Sequence, residues 1–150
     1  MLTVLCEYLR NWFDEECKKV IGMITIADGV ISVRNSPITF KNNQYFRIVG
    51  SVYNDGVHKF PDTELHDEVF EGAVWEMKVP AEVVALAEDI ANWQAKYGAY
   101  DNPAMSPYNS ESFAGYSYSK STGNSYANGD DTATGWQGAF KSRLNMWRKL

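Results

Sequence analysis

Residues 98–135 contain no leucine, isoleucine or valine, and that gap limits what the chain can become. These 38 residues hold seven serines, five glycines, four asparagines, five of the nine tyrosines and only five charges. Without aliphatic side chains the stretch cannot build a core of its own. It is also too long for an ordinary connection inside a compact domain. A bare linker has little use for five tyrosines, whereas a segment that orders on a partner surface uses tyrosine as a rigid anchor with a polar tip. The stretch reads as an extended arm.

The arm divides the chain into a body over residues 1–98, the arm over 99–135 and a terminal docking helix over 136–150. Charge divides it in the same way. Residues 1–131 carry ten basic and nineteen acidic groups, a net −9. Residues 132–150 carry Lys141, Arg143, Arg148 and Lys149 and no acid, a net +4. An acidic body argues against a dedicated duplex-binding domain, which presents a broad basic face. The basic end is expected to seek an acidic surface on another subunit or another protein.

Periodicity predicts an α+β body. Leu2, Leu5, Leu9 and Trp12, flanked by Phe13 and Cys17, predict an amphipathic helix over residues 2–20. Past Gly22 the period drops to two. Met23–Ile26 and Val30–Val33 flank Ala27-Asp28-Gly29, a strong hairpin signal. A second pair is expected from Gln44–Gly50 and Val57–Phe60 around Asn54-Asp55-Gly56, with a short strand at Ile38–Phe40 and a third stretch at Gly72–Val79 that reads as strand, although Leu65, Val69 and Ala73 would fit a helix nearly as well. Val83, Leu86, Ala87, Ile90, Trp93 and Tyr97 form the stripe of a long helix that starts at Pro80 and ends at Gly98. Trp136, Phe140, Leu144 and Trp147 make the stripe of a short terminal helix, with Thr134 and Gln137 as a capping box. Such a basic amphipathic helix suits docking.

Catalytic and metal motifs are weak. The run Asp62-Thr63-Glu64-Leu65-His66-Asp67-Glu68 is rich in ligand atoms but matches no zinc spacing, and reads as a solvated acidic loop. Asn124–Gly129 resembles the start of a calcium loop, yet position twelve falls on Gly135 instead of glutamate. Cys6 and Cys17 suit packing better than a nucleophilic pair with a histidine. No apolar run is long enough to span a bilayer, and charges interrupt the first twenty residues, so no secretory signal is expected. The residues point to a soluble, non-enzymatic assembly subunit without a cofactor or metal.

Four stretches in this order resemble a known family, the head-to-tail adaptor (connector, or head-completion) proteins of long-tailed bacteriophages and prophages. They are Gln44–Val57, Gly72–Pro80 leading into the helix through Trp93 and Tyr97, Ser110–Ser119, and Trp136 to Lys149. The most characteristic is the glutamate-serine…glycine-tyrosine-serine-tyrosine run. The resemblance implies a ring, typically dodecameric, that attaches to the portal in the virion neck and extends the DNA channel, assembled in the host bacterial cytoplasm. It implies as partners the portal, neighbouring copies of the chain and a stopper or tail-completion protein, with genomic DNA passing without sequence-specific binding and no membrane. It places portal or subunit docking on Tyr116, Tyr118, Trp136, Phe140, Arg143, Leu144, Trp147, Arg148 and Lys149. Residues 23–79 depart from the pattern, because many adaptors are nearly all helical. A stopper or tail-completion ring is the alternative, and a small non-viral binding domain with a partner-docking terminal helix is a third reading.

Overall fold

The computed structural model of the protein describes residues 1–98, 110–113, 116–119 and 135–149. Most of the expected arm, Thr134 and the run Asn124–Gly129 lie outside these residues.

The fold is α+β. Helix α1 (Leu2–Leu9) leads into strand β1 (Asp14–Ala27), followed by β2 (Val30–Val33), β3 (Ser36–Pro37), β4 (Tyr45–Val49), β5 (Gly56–Lys59) and β6 (Glu68–Met77). Helix α2 (Ala81–Tyr97) comes next, then the hairpin strands β7 (Ser110–Phe113) and β8 (Tyr116–Ser119). The chain closes with helices α3 (Trp136–Ala139) and α4 (Lys141–Asn145). Six strands form one antiparallel sheet in the order β3-β2-β1-β6-β4-β5.

The Asp-Gly turn is where the sequence places it. Asp28 and Gly29 have φ of 50° and 75°, the paired positive values that a two-residue hairpin with native twist requires. Asp67 holds the turn by accepting from the Asp28 amide at 2.9 Å.

The first helix is shorter than the stripe predicts. Arg10 enters the left-handed region at φ 52°, and the amides of Arg10 and Asn11 close on the carbonyls of Glu7 and Cys6. The expected helix over 2–20 is thus corrected to a helix over 2–9 and a long strand from residue 14. Pairing decides this. From Lys19 to Ile26, β1 matches β6 residue for residue, and such ladder partners override a weak local preference. Trp12 leaves the helical stripe and stacks on Arg47, whose Cζ lies 3.3 Å from its ring centroid.

Other boundaries also move. The third predicted strand begins four residues early, at Glu68, because Glu68, Val69, Phe70 and Glu71 find partners on β1. Residues 38–40 are not a strand. Instead Phe40 stacks on Phe46 at 4.4 Å and lies 5.7 Å from Phe60, so this segment covers the sheet. The terminal helix is two short helices interrupted at Phe140, with Gly135 at the N-cap and no side-chain cap bond.

Two cores result. Ile24, Ile26, Ile31, Phe46, Ile48, Phe70 and Val74 fill one face of the sheet beneath the loops carrying Ile38, Phe40, Phe60 and Leu65. Leu5, Leu9, Val83, Leu86, Ala87 and Ile90 form a helical core, which Trp136 and Leu144 complete.

Candidate interaction surfaces

The terminal segment folds back on its own body. Trp136 is 6% exposed and meets the Tyr8 ring edge-on at 5.1 Å, and Leu144 is 2% exposed. Phe140 and Trp147 pack against the same core, with Trp147 6.0 Å from Phe13. Backbone bonds fix the chain end: Asn11 Nδ2 donates to the Trp147 carbonyl at 3.0 Å, and the Lys149 amide donates to Leu9 at 3.0 Å. The apolar stripe expected to face a partner therefore faces α1 and α2. A tethered stripe meets its own apolar surface at high effective concentration, so it buries there first. The cationic side chains stay outside. Lys141, Arg143, Arg148 and Lys149 are exposed, with Arg143 paired to Asp89 at 2.6 Å and Arg148 lying 5.8 Å from the Tyr8 ring centroid. Among the predicted site residues of the terminal segment, Arg143, Arg148 and Lys149 are the ones whose charged groups are exposed. Tyr116 and Tyr118 lie on β8, paired with Phe113 and Glu111 of β7.

A second surface was read in the sequence only as a turn. Ser51 and Asn54 are the two buried polar residues among those described, and they organise the β4–β5 connection. Ser51 Oγ donates to Glu68, whose other oxygen accepts from the Val52 amide at 2.9 Å. Asn54 donates its amide to Ser51 Oγ at 2.6 Å and its Nδ2 to Glu68 at 3.2 Å and to the His66 carbonyl at 3.0 Å. Asn54 Oδ1 accepts from the His66 amide at 2.8 Å. This lattice presents Val52 and Tyr53, 80% and 70% exposed, on a loop already held in shape. Preorganised aromatic anchors of this kind bind with little ordering penalty.

The same hydrogen bonds give the loop a pH dependence. Ser51, then the backbone amides beside it, hold the Glu68 carboxyl below its ordinary value of 4.5. Asp14, bonded to Lys19, and Glu15, bonded to Lys78, are lowered too. Depressed carboxyls stabilise the fold above their unfolded values and lose that contribution as pH falls through the folded ones. Stability to urea is expected to hold from neutral pH to about 5 and to fall below it. Glu68→Gln should flatten this decline; an unchanged acid slope would remove Glu68 from the account.

No family model, curated protein or solved structure matches this chain.

The acidic run 62–68 is dispersed among separate structural tasks. Three of the four carboxylates of the acidic run serve different neighbours: Asp62 binds His58 Nδ1 at 2.7 Å and the Glu64 amide, Asp67 holds the 28–29 turn, and Glu68 holds the loop. His58 Nε2 is engaged by the Asn54 carbonyl at 2.8 Å. Among the described residues no three His, Cys, Asp or Glu side chains come together as a metal site, and no described helix is long and apolar enough to cross a membrane. Cys6 is fully buried, and desolvation pushes its thiol up to about 11, which suits packing and not nucleophilic attack.

Among the described residues Arg47 is held chiefly by aromatic rings. Its guanidinium lies between Trp12 and Trp75, 3.3 and 4.8 Å from their ring centroids. Arg47 Nε and Trp75 Nε1 are buried without acceptors. Stacking on the rings offsets part of that penalty, and the clamp ties the segment after α1 to the sheet. A cavity of about 260 Å³ opens over the sheet core between Ile31, Ile38, Phe40, Phe60, Asp62 and Leu65. The described surfaces present an exposed cationic end, a hydrogen-bonded Val52–Tyr53 loop and the exposed Ile21, Met23 and Val69 of the sheet.

Proposed function

We propose that this chain is a structural, non-enzymatic neck subunit of a phage particle, forming a dodecameric ring that attaches to the portal and extends the DNA channel toward the tail. The observation that carries the reading is the placement of the Glu111-Ser112…Gly115-Tyr116-Ser117-Tyr118 run. It lies between the long helix α2 and an exposed cationic terminus, the order in which the resembling adaptors have these pieces. Charge supports it. An acidic body lowers the affinity, and hence the friction, of any wall that DNA slides past, while the cationic end is available to an acidic portal surface. No cofactor, metal or membrane enters this role. The ring stands in the virion neck after assembly in the bacterial cytoplasm, with the portal above it and a stopper or tail-completion protein below.

The six-stranded antiparallel sheet favours a second reading, a stopper or tail-completion ring, which is richer in strand than most adaptors. The neighbour bound by the cationic end separates the two.

Deleting residues 132–150 is a poor test, since Trp136 and Leu144 belong to the core. Reversing the exposed charges is a better one. The triple variant Arg143→Glu, Arg148→Glu, Lys149→Glu is expected to lower the melting temperature by only a few degrees, since the Arg143–Asp89 pair it breaks is exposed, and to bind purified portal rings at least about tenfold more weakly, mainly through slower association. Negative-stain images of wild-type protein with portal should show a second ring. Undiminished portal binding by the triple variant would reject the cationic end as the portal contact, and the absence of a second ring would reject the adaptor reading.

A further inference from the structure

The loops over the sheet core stop short of closing on it. The segments carrying Ile38, Phe40, Phe60 and Leu65 cover the core, yet the cavity of about 260 Å³ stays open beneath them. Hydrogen bonds fix its walls. The Ile38 amide donates to the Ile31 carbonyl at 2.8 Å, and the Phe60 amide donates to the Gln44 carbonyl at 2.8 Å. The Asn43 amide in turn donates to the Phe60 carbonyl at 2.8 Å. A pocket held open in this way is preformed, as small-ligand sites usually are.

The lining combines aromatic rings with one charge. Phe40, Phe46 and Phe60 all border the cavity, with Phe40 stacked on Phe46 at 4.4 Å and 5.7 Å from Phe60. Among the described lining residues the ionisable side chain is Asp62. Its Oδ2 meets His58 Nδ1 at 2.7 Å and its Oδ1 accepts from the Glu64 amide at 2.9 Å, and each carboxylate oxygen can accept a second bond. The Asp62 side chain is 18% exposed, so a cation resting on it keeps part of its hydration. More negative charge adjoins the cavity: Asp28 precedes the lining Gly29, and Asp67 holds the Asp28 amide. Of the neighbouring lysines, Lys59 leans over the Tyr45 ring at 5.8 Å and Lys41 is exposed.

From these walls we infer that the cavity binds a small organic cation, an arylalkyl- or alkylammonium whose apolar body lies among the phenylalanine rings and whose N–H groups donate to Asp62. A ring face attracts a cation within about 6 Å of its centroid. An ammonium–carboxylate hydrogen bond is roughly twice as strong as a neutral one. Water is a poor occupant, since it needs about two to four polar partners and apolar side chains dominate the lining. Size narrows the class. An apolar cavity of roughly 150 Å³ holds benzene, so about 260 Å³ admits one ring or a short chain together with its ammonium. Charge argues against a segment of the same chain as the occupant: residues 99–134 carry Lys120 against Asp101, Glu111, Asp130 and Asp131, a net −3, the sign that Asp62 repels.

The site does not rest on the neck reading, and its test uses the full chain alone. Benzylammonium and benzyl alcohol match in shape and differ in charge. Calorimetric titration at neutral pH is expected to show saturable binding of benzylammonium, at least about tenfold tighter than that of benzyl alcohol. Asp62→Asn keeps the shape of the side chain and should bring benzylammonium down to the affinity of the alcohol, leaving the alcohol unchanged. Ile38→Trp fills the cavity from the covering segment and should abolish binding of both. Equal affinities for the two probes on the wild-type chain, a comparison that needs no variant to fold, would overturn the choice of a cation. A charge preference that survives in Asp62→Asn would overturn the role of Asp62. Absence of saturable binding, or undiminished binding by Ile38→Trp with a wild-type circular dichroism spectrum, would overturn the cavity as the site.

Discussion

Trp136→Ala is expected to destabilise the folded chain by about 3–5 kcal/mol, and Leu144→Ala by about 2–5 kcal/mol. Both side chains are buried among residues of α1 and α2, so truncation forfeits their transfer free energy and leaves a cavity that the two helices cannot fully close. For Trp136 the edge-on contact with Tyr8 is lost as well. Urea denaturation of the full chain measures the effect. Met146→Ala, a change at an exposed neighbouring position, should stay within about 0.5 kcal/mol. A loss below about 1 kcal/mol for Trp136→Ala would mean that the terminal segment is not part of the body, and the docking reading of its apolar stripe would return.

Gly72→Ala should cost about 3 kcal/mol or more. Gly72 lies in β6 opposite Gly22 of β1, where the Phe70 ring leans across the strand. A Cβ at residue 72 would stand 2.2 Å from the Val49 carbonyl oxygen and 2.8 Å from Phe70 Cε2. The ring can turn aside; the carbonyl cannot without breaking the β4–β6 register that carries Ile48 and Phe46 into the core. Thermal unfolding of the variant reads this directly. A drop in melting temperature of less than about 3 °C would show that the β4–β6 contact is looser than described.

Where local pattern and tertiary demand coincide, the structure agrees with the sequence. The Asp28-Gly29 turn needs positive φ at both residues, and few other pairs provide it. The α2 stripe through Val83, Leu86, Ala87 and Ile90 stands at helical spacing, and all four are buried. Where they conflict, distant partners win. Trp12, Phe13 and Cys17 continue the α1 stripe on paper, but β6 offers residues 19–26 an unbroken ladder. The Val52–Tyr53 loop left no signal beyond its turn residues. Its rigidity comes from Glu68, distant in sequence, and from Asn54 bonding to His66 twelve residues on.

The sequence by itself determined that the chain is α+β, that aliphatic residues avoid 98–135, and that the positive charge collects at its end. These are properties of composition and period, and no folding can alter them. The tertiary structure decided which surface the terminal stripe meets. Trp136, Phe140, Leu144 and Trp147 are equally suited to a partner or to their own body. The exposed apolar edges of α1 and α2 in the same chain settle the choice by proximity, leaving the cationic side chains and Met146 facing outward. It likewise decided that Ile24 and Ile26 of β1 are covered by described residues of the chain while Ile21 and Met23 on the opposite face are exposed. Periodicity states that a face is apolar, and only the packing of the rest of the chain states whether it is covered.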